Sequence, residues 1–437
     1  MNTIDKIPTG KISRAAKLVQ TGVKVGGNYL KYYGEKLIDP SLSKEKLNEA
    51  NAEDIYDGLK SLKGSALKTA QMLSMEKNIL PTAYIDKFSL SQFSVPPLSG
   101  PLVNKTFFKY FGKTPFELFD TFSDQAINAA SIGQVHKASK DGINLAVKIQ
   151  YPGVADSISS DLAIVKPIAM RMFNLKGAET EKYFKEVEIK LKEETDYLLE
   201  MTQSQEVSAA CGHIDNLQFA QYYPDLSCDR ILTMDWMEGV HLSEFNKTNK
   251  DQVLANKIGQ TLWDFYMYQI HQLRKVHADP HPGNFLVNKK NELIAIDFGC
   301  MKDVPVDFYE PYFELAKHET IANKPAFEAK LRELEILLAK DSPTEIAFFS
   351  ELFSKMLSLF TQPLNEDSFD FSDATFFAEM ANLAESFAKN TELRKMNNSR
   401  GSKHFLYINR TFFGLYSLLH DLKATIDING YKKYMNN

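Results

Sequence analysis

The residues best suited to chemistry lie between positions 277 and 299. His277-Ala278-Asp279 is followed by Asn284, five residues after the aspartate, and then by Asp297-Phe298-Gly299. Phosphoryl transfer needs a carboxylate near the acceptor, and an amide and a second carboxylate that hold Mg²⁺ against the phosphates. We therefore predict Asp279 as the catalytic carboxylate and Asn284 and Asp297 as Mg²⁺ ligands. The alternative is that all three are turn and capping residues.

A lysine on an apolar strand precedes this region. Lys148 ends the run Leu145-Ala146-Val147, and a lysine in that position can reach the α- and β-phosphates of a nucleotide. A helix carboxylate must then hold the lysine in place. We predict that residues 180–208 form one long helix and that Glu200 is this catalytic partner.

The segment before the lysine strand departs from a glycine-rich phosphate loop. Nucleotide-binding residues are expected at Ala129, Ala130 and Ser131, where Gly133 is the one glycine of the segment. Because alanine restricts the close wrapping of backbone N–H groups around phosphates, we predict altered nucleotide handling or weak catalysis.

A second nucleotide contact is predicted where residues 230–237, a strand, run into Glu238-Gly239. The backbone of this hinge is expected to bind adenine through Met234, Asp235, Met237 and Glu238.

After Asp297 the chain soon enters a helix candidate, without the long segment that holds a peptide substrate in protein kinases. This disfavours a protein substrate, and the pattern His-x-Asp-x-His-x-x-Asn is typical of phosphotransferases that act on small molecules.

The elements that position these residues follow an α+β order. Residues 43–75 have a helical pattern, Lys140-Asp141-Gly142 is typical of a hairpin turn, residues 250–276 form a predicted helix, and the chain is helical in character after about 305. We predict a bilobal protein-kinase-like fold with a helical N-terminal extension (1–100), a kinase-like N-lobe (101–238) and a mostly helical C-lobe (239–437).

Composition narrows the function classes. The net charge of −5 and the pI of about 6.1 give no general basic field, so nucleic acid is not an expected partner. The three cysteines are odd in number and not spaced as CxxC, which favours a reducing compartment. The sequence has neither an apolar run for a membrane span nor a secretory signal. We expect a cytoplasmic protein.

Residues 11–38 form a basic, partly amphipathic helix interrupted at Gly26-Gly27, which either packs on the body or makes a peripheral membrane contact.

Several motifs together resemble the ABC1/UbiB (AarF/ADCK) atypical kinases, especially the branch that supports coenzyme Q biosynthesis. They are the run from Ala129 to Ala138, the run from Ala146 to Val154, the pair Glu194-x-Asp196, and Lys68-Thr69-Ala70-Gln71. In that family an alanine-rich loop replaces the glycine-rich loop, and a KxGQ helix covers the nucleotide. Here Ala70 stands at the family's glycine, a change expected to favour the helix and to prevent the closest backbone approach.

The resemblance implies that Lys68 and Gln71 gate the nucleotide site by meeting Glu194 and Asp196. It also implies the cofactors ATP and Mg²⁺, and an atypical kinase or ATPase that supports isoprenoid-quinone (ubiquinone-type) biosynthesis or phosphorylates a lipid-related small molecule. The expected partners are adenine nucleotide and a lipid or quinone precursor. Two alternatives stay open: a nucleotide-binding pseudokinase scaffold, and a protein kinase.

Overall fold

Two compact units make up the chain. A computed structural model describes residues 11–39, 41, 43–62, 66, 68, 69, 84, 87, 97–129, 132–172, 178–389 and 400–435. Unit 1 comprises the described parts of Met1–Met201 together with Gln221–Trp236, and unit 2 comprises those of Thr202–Ala220 and Met237–Asn437. Each has its own apolar core.

The described residues of both units form helices and strands, as expected for a mixed fold. The helices are α1 (Lys11–Ile38), α2 (Glu45–Leu62), α3 (Gly100–Phe111), α4 (Pro115–Leu118), α5 (Val154–Met172), α6 (Ala178–Glu194), α7 (Tyr197–Cys211), α8 (Leu242–Thr248), α9 (Gln252–Tyr268), α10 (Val306–Leu315), α11 (His318–Ala322), α12 (Lys324–Glu333), α13 (Pro343–Phe360), α14 (Ala374–Lys389) and α15 (Lys403–Asp421). The strands are β1 (Thr121–Phe122), β2 (Asn128–Ala129), β3 (Gly133–Lys140), β4 (Ile143–Gln150), β5 (Leu217–Phe219), β6 (Ile231–Asp235), β7 (Val240–His241), β8 (Lys275–His277), β9 (Phe285–Val287), β10 (Leu293–Ala295), β11 (Met301–Asp303), β12 (Ser368–Asp370) and β13 (Thr425–Asp427).

The sheet of unit 1 is antiparallel, in the order β1-β3-β4-β6 with β2 paired to β3. The predicted hairpin is confirmed: β3 and β4 pair from Gly133–Gln150 to Lys140–Ile143. Its turn residues Asp141 and Gly142 have φ angles of 51° and 78°, the positive values that a type I′ two-residue turn requires at both positions. This hairpin fixes the position of Lys148.

The N-terminal helix α1 is continuous through Gly26-Gly27, so the predicted interruption there is wrong. Glycine weakens a helix but does not break one that packs against a neighbour. Here α1 packs on α2, where the absence of a side chain at Gly58 makes room for Thr21. The close approach therefore uses a glycine of α2. No helix among the described residues is long and apolar enough to cross a bilayer.

The single helix predicted over residues 180–208 is also wrong, because α6 ends at Glu194 and α7 begins at Tyr197. The carbonyl of Thr195 accepts hydrogen bonds from the side chains of Gln150 (2.9 Å) and Arg230 (3.1 Å). The carboxylate of Asp196 accepts one from the backbone N–H of Leu199 at 3.0 Å, as an N-cap residue does. These side chains fix the break between the two helices.

In unit 2, α9 ends earlier than the predicted helix over 250–276. After Tyr268 a π-helical turn, Gln269–Leu273, leads through Arg274 into β8. Arg274 has a φ of 54°, which ends helical geometry at that residue. The four strands β5-β10-β9-β7 form a sheet, and β8 pairs with β11. After about residue 305 the described residues are mostly helical, as predicted, and the β12/β13 pair departs from that prediction.

Candidate functional site

Lys148 and Glu200 form an ion pair inside unit 1. The Nζ atom of Lys148 lies 2.9 Å from both carboxylate oxygens of Glu200. The side chain of Glu200 is 2% exposed and that of Lys148 17% exposed, so water screens this pair weakly. The antiparallel register that pairs Lys148 with Leu232 sets the lysine on the strand, and the N-terminal turn of α7 presents Glu200.

Tyr197 completes the surroundings of the lysine. Its ring centroid lies 5.2 Å from Lys148 Nζ, within the range of a cation–π contact. A Cβ atom on Gly133 would lie 2.7 Å from the Tyr197 hydroxyl oxygen and 2.7 Å from the carbonyl oxygen of Ile149. The glycine at position 133 is therefore required by packing against the residues that hold Lys148.

The alanine loop, Ala129-Ala130-Ser131, comes shortly before Gly133 in the sequence. Ala129 is the last residue of β2, where it pairs with Gln134 of β3. Ala130 and Ser131, the other two predicted nucleotide contacts in the loop, lie outside the described residues.

In unit 2, Asp279 and Asn284 are joined directly. The Nδ2 atom of Asn284 donates to the carbonyl oxygen of Asp279 at 3.0 Å and to its Oδ2 at 3.2 Å. The amide nitrogen therefore faces Asp279, and the amide oxygen is the atom suited to a cation. This donor set fits Mg²⁺, which prefers carboxylate and amide oxygens and takes its other ligands from phosphates and water.

His277 connects Asp279 to Asp297. Its Nε2 lies 2.7 Å from the carbonyl oxygen of Asp297, and its Nδ1 accepts from the backbone N–H of Asp279 at 3.3 Å. A carbonyl can only accept and an N–H can only donate, so the proton of a neutral imidazole resides on Nε2. His277 is buried, with 3% of its surface exposed. Through these two hydrogen bonds it fixes the backbones of Asp279 and Asp297, which carry the predicted carboxylates.

Asp297 has an unusual backbone, with a φ of 71°. Left-handed conformations cost energy in residues other than glycine and are enriched at functional sites. The Asp297 Oδ1 accepts from the Gly299 N–H at 3.1 Å, and the Ile296 N–H donates to the Asn284 carbonyl at 2.9 Å. Asp279, Asn284 and Asp297 are thus joined through His277 and the backbone.

Asp279 also lies near a buried tyrosine of α9. Burial raises the pKa of Tyr266 well above its usual range, and the charges of Asp279 and Cys300 raise it further. Tyr266 therefore stays neutral at any ordinary pH.

Among the predicted gating residues, Lys68 and Glu194 meet. The Lys68 Nζ lies 3.0 Å from Glu194 Oε2, with the two side chains 27% and 21% exposed. Asp196 is at the start of α7, where its carboxylate caps the helix. Gln71 lies outside the described residues.

The predicted hinge spans the boundary between the two units, which falls between Trp236 and Met237. Met234 and Asp235 belong to β6, and the carboxylate of Asp235 accepts from the Tyr223 hydroxyl at 2.7 Å and the Gln221 N–H at 3.0 Å. Burial, followed by this bond to Asp235, raises the pKa of Tyr223 to about 12. Met237 and Glu238 belong to unit 2.

Gln269 is a residue that the sequence analysis did not select. Its Oε1 accepts from the backbone N–H of His277 at 2.9 Å, and its side chain is fully buried. A glutamine within an apolar helical run was the available clue, because a buried amide must find hydrogen-bond partners.

Comparisons with known proteins agree on one family. The sequence model described as "ABC1 atypical kinase-like domain" matches residues 90–328. The chain is 27% identical over 395 residues to the probable serine/threonine-protein kinase abkA of Dictyostelium discoideum, covering 83% of this chain and 70% of abkA. It is 28% identical over 382 residues to the mitochondrial atypical kinase COQ8 of Saccharomyces cerevisiae, covering 84% and 74%.

The extent of similarity differs among relatives. A chloroplastic aarF domain-containing protein kinase of Arabidopsis thaliana is 28% identical over 306 residues, and the match spans 43% of its length.

Among solved structures, a Mycobacterium tuberculosis protein in complex with erythromycin superposes with a TM-score of 0.59 at 23% identity, covering 90% of this chain and 97% of that one. This likeness shows the fold.

Proposed function

The chain belongs to the ABC1 atypical kinase-like family, and on that premise we propose that it binds ATP with Mg²⁺ and acts as an atypical kinase or ATPase. The observation that carries the proposal is the single hydrogen-bonded network of Asp279, Asn284 and Asp297 around His277. Turn and capping residues would not need to share one buried histidine. The carboxylates and the amide are the groups that phosphoryl transfer requires.

Each residue has a defined role in this proposal. Lys148, held by Glu200, binds the α- and β-phosphates, and Asn284 and Asp297 hold the cation. Mg²⁺ supplies neutralisation of the charge on the phosphates when bound. Asp279 accepts the proton of the attacking hydroxyl or water. Asn284 orients the Asp279 carboxylate, because its Nδ2 atom lies 3.2 Å from Asp279 Oδ2. Ala129, Ala130 and Ser131 line the phosphates, and the backbone of Met234, Asp235, Met237 and Glu238 holds adenine.

The proposed gate is the Lys68–Glu194 ion pair. It ties the N-terminal extension to the end of α6, just before the helix that carries Glu200. Opening and closing of this contact, with Gln71 and Asp196 as further members, regulates access of nucleotide.

The proposed pathway is isoprenoid-quinone biosynthesis, with a lipid or quinone precursor as the acceptor. Similarity to the COQ8 kinases supports this assignment.

We also propose a cytoplasmic location with peripheral membrane contact through α1, where Val23, Leu30 and Leu37 are 71%, 78% and 87% exposed. Lys24 and Lys31 on the same helix are exposed as well, a combination that favours an anionic lipid surface.

A nucleotide-binding scaffold with little turnover is the second candidate. The observation that favours it is the use of Gly133 in packing against Tyr197. Since Gly133 is the one glycine between Ala129 and Ala138, the loop has little freedom to turn its N–H groups toward phosphates.

Thermal-shift titration with ATP, with and without Mg²⁺, tests the proposal. Asp297→Asn should abolish the extra stabilisation that Mg²⁺ gives, while Asp303→Asn, an exposed residue at the end of β11, should leave it intact. Equal Mg²⁺-dependent stabilisation in wild type and Asp297→Asn would contradict the metal assignment. ATP hydrolysis, measured with and without anionic liposomes and phenolic quinone precursors, separates the two candidates: binding without turnover under every condition identifies the scaffold.

A further inference from the structure

The π-helical turn Gln269–Leu273 contains a buried amide, that of Gln269, which contacts His277 two residues before Asp279. Such turns interrupt regular α-helix at a cost, and they are frequent at functional sites. At this one Gln269 is 0% exposed. Its amide is thus withdrawn from water and depends on the protein for its hydrogen bonds.

Both ends of the amide are used. Gln269 Nε2 donates to the Phe265 carbonyl at 3.1 Å, and Gln269 Oε1 accepts from the His277 backbone N–H at 2.9 Å. A flipped amide would oppose donor to donor and acceptor to acceptor, so one orientation alone satisfies both partners. Helix α9, through Phe265, therefore fixes the direction of a bond that ends on β8.

The bond from Gln269 reaches His277, whose imidazole contacts the backbones of both candidate carboxylates. His277 Nε2 donates to the Asp297 carbonyl at 2.7 Å, and its Nδ1 accepts from the Asp279 N–H at 3.3 Å. A shift of the His277 backbone would move the imidazole and both contacts together. Asp297, with its strained φ of 71°, depends on such support because left-handed geometry persists where surrounding contacts hold it.

We propose that Gln269 is a positioning residue, which sets His277 and through it the relative placement of Asp279 and Asp297. Gln269 acts through the protein and touches neither nucleotide nor cation. The inference rests on the proposed function for its effect on turnover, whereas its effect on the loop is independent of nucleotide.

Two substitutions separate this role from simple loss of packing. Gln269→Leu keeps the volume approximately and removes both hydrogen bonds. Gln269→Glu, when protonated, offers one carbonyl acceptor and one O–H donor and so reproduces both bonds. When ionised it loses the donor and brings a negative oxygen against the Phe265 carbonyl.

The expected signature is a new pH profile. Gln269→Leu should lower kcat by about 100-fold, as small misplacements of catalytic groups do, with a much smaller change in KM for ATP. Gln269→Glu should approach wild-type kcat at the acidic end of the stable range and fall toward the leucine variant as pH rises. Thr361→Val is the matched control, because it removes another buried hydrogen bond of unit 2, from Thr361 Oγ1 to the Leu357 carbonyl at 2.7 Å. It should leave kcat and the pH profile unchanged.

Amide hydrogen exchange in nucleotide-free protein provides the second readout. The His277 amide should exchange at least about five-fold faster in Gln269→Leu, the effect of losing one hydrogen bond, and Thr361→Val should leave it unchanged. Unaltered His277 exchange in Gln269→Leu, or a Gln269→Glu profile parallel to wild type, would overturn the proposal. If wild type itself fails to bind or turn over MgATP, the proposed function fails, and His277 exchange alone then decides the role of Gln269.

Discussion

Pro280, the residue after the candidate catalytic carboxylate, rests directly on Gly414 of α15. A Cβ atom on Gly414 would overlap the proline ring, lying 3.1 Å from its Cβ and 3.3 Å from the Pro280 carbonyl oxygen, with the ring Cγ nearer still. Helix α15 therefore packs against the segment that carries Asp279, and the absence of a side chain at Gly414 allows this close approach.

Gly414→Ala should displace Pro280 and with it Asp279. We expect kcat to fall by about 10- to 100-fold, since a displacement near 1 Å has effects of that size. Steady-state ATP hydrolysis and circular dichroism together measure the effect. Gly430→Ala is the control, because its added Cβ would meet an ordinary contact, with Asp427 Oδ2 at 3.7 Å. Wild-type kcat in a folded Gly414→Ala variant would refute the dependence.

The Lys148–Glu200 pair predicts a separation of stability from nucleotide binding. Glu200→Leu leaves the lysine ammonium half-buried without its carboxylate, and we expect a loss of about 3 kcal/mol in the free energy of unfolding. The double variant Lys148→Met/Glu200→Leu removes both charges and should recover most of that loss, yet MgATP affinity should stay low. Urea unfolding and nucleotide titration measure the two quantities.

An exposed pair serves as the comparison. Lys192 and Glu188 lie 2.8 Å apart on one face of α6, with side chains 59% and 32% exposed, so Lys192→Met should cost at most about 0.5 kcal/mol. A double variant at positions 148 and 200 that binds MgATP as wild type does would show that Lys148 does not contact phosphate.

The Lys68–Glu194 contact predicts a change in gating with little change in stability. Both side chains are about one quarter exposed, and such pairs contribute at most about 1 kcal/mol. Lys68→Ala should therefore alter ATP turnover, or permit autophosphorylation absent from wild type, while the unfolding transition barely moves. Lys46→Ala, an exposed lysine of the neighbouring helix α2, should change neither. Unchanged turnover and phosphorylation in Lys68→Ala would argue against the gate.

The sequence carried enough information to pair Lys148 with Glu200 and to select the residues that contact His277, because each stands in a run whose residue types and spacing suggest one kind of chemistry. It did not locate the break between α6 and α7. The deciding bonds come from Gln150 and Arg230, which are 45 and 35 residues from Thr195, although Asp196 as an N-cap type was a local clue.

Gln269 was missed because its hydrogen-bond partner depends on an irregular turn. The partner of its Oε1 lies eight residues ahead across a π-helical turn, and periodicity cannot anticipate a register that the turn itself shifts. Gly26-Gly27 failed in the opposite direction: propensity predicted an interruption, and packing of α1 on α2 overrode it.

The alanine loop yields a prediction in which affinity rises. Replacing Ala129 or Ala130 with glycine should increase MgATP affinity, because glycine lets backbone N–H groups turn toward phosphates. Isothermal titration measures the change, and unaltered or weaker binding would mean that the loop does not limit phosphate contact. Gly133→Ala is the contrasting variant: its Cβ would lie 2.7 Å from Tyr197 Oη, so it should destabilise unit 1 by about 1–3 kcal/mol.

The final prediction concerns pH and His271, at the π-helical turn of unit 2. Its imidazole is stacked on Tyr431 and lies 2.6 Å, through Nδ1, from the Tyr309 hydroxyl. Burial, and then the nearby charge of Arg274, lower the pKa of His271 to about 3. In the unfolded chain the ordinary value is about 6.5.

The folded state therefore resists binding a proton that the unfolded state accepts. Stability due to the neutral imidazole is complete above about pH 6.5 and declines as pH falls from there toward the folded pKa of about 3. Between pH 7.5 and pH 5 this one group should cost unit 2 about 2 kcal/mol. Urea unfolding followed by fluorescence of the buried Trp263, in a Trp236→Phe background, reports on unit 2 alone.

His271→Phe keeps an aromatic ring among Tyr309, Phe313 and Tyr431 but cannot be protonated. The variant should be less stable than wild type at pH 7.5, because the Tyr309 hydroxyl loses its hydrogen bond to His271. Its stability should then fall by about 2 kcal/mol less than that of wild type on going to pH 5. Parallel pH dependence in the two proteins would show that His271 is not the group whose protonation destabilises unit 2.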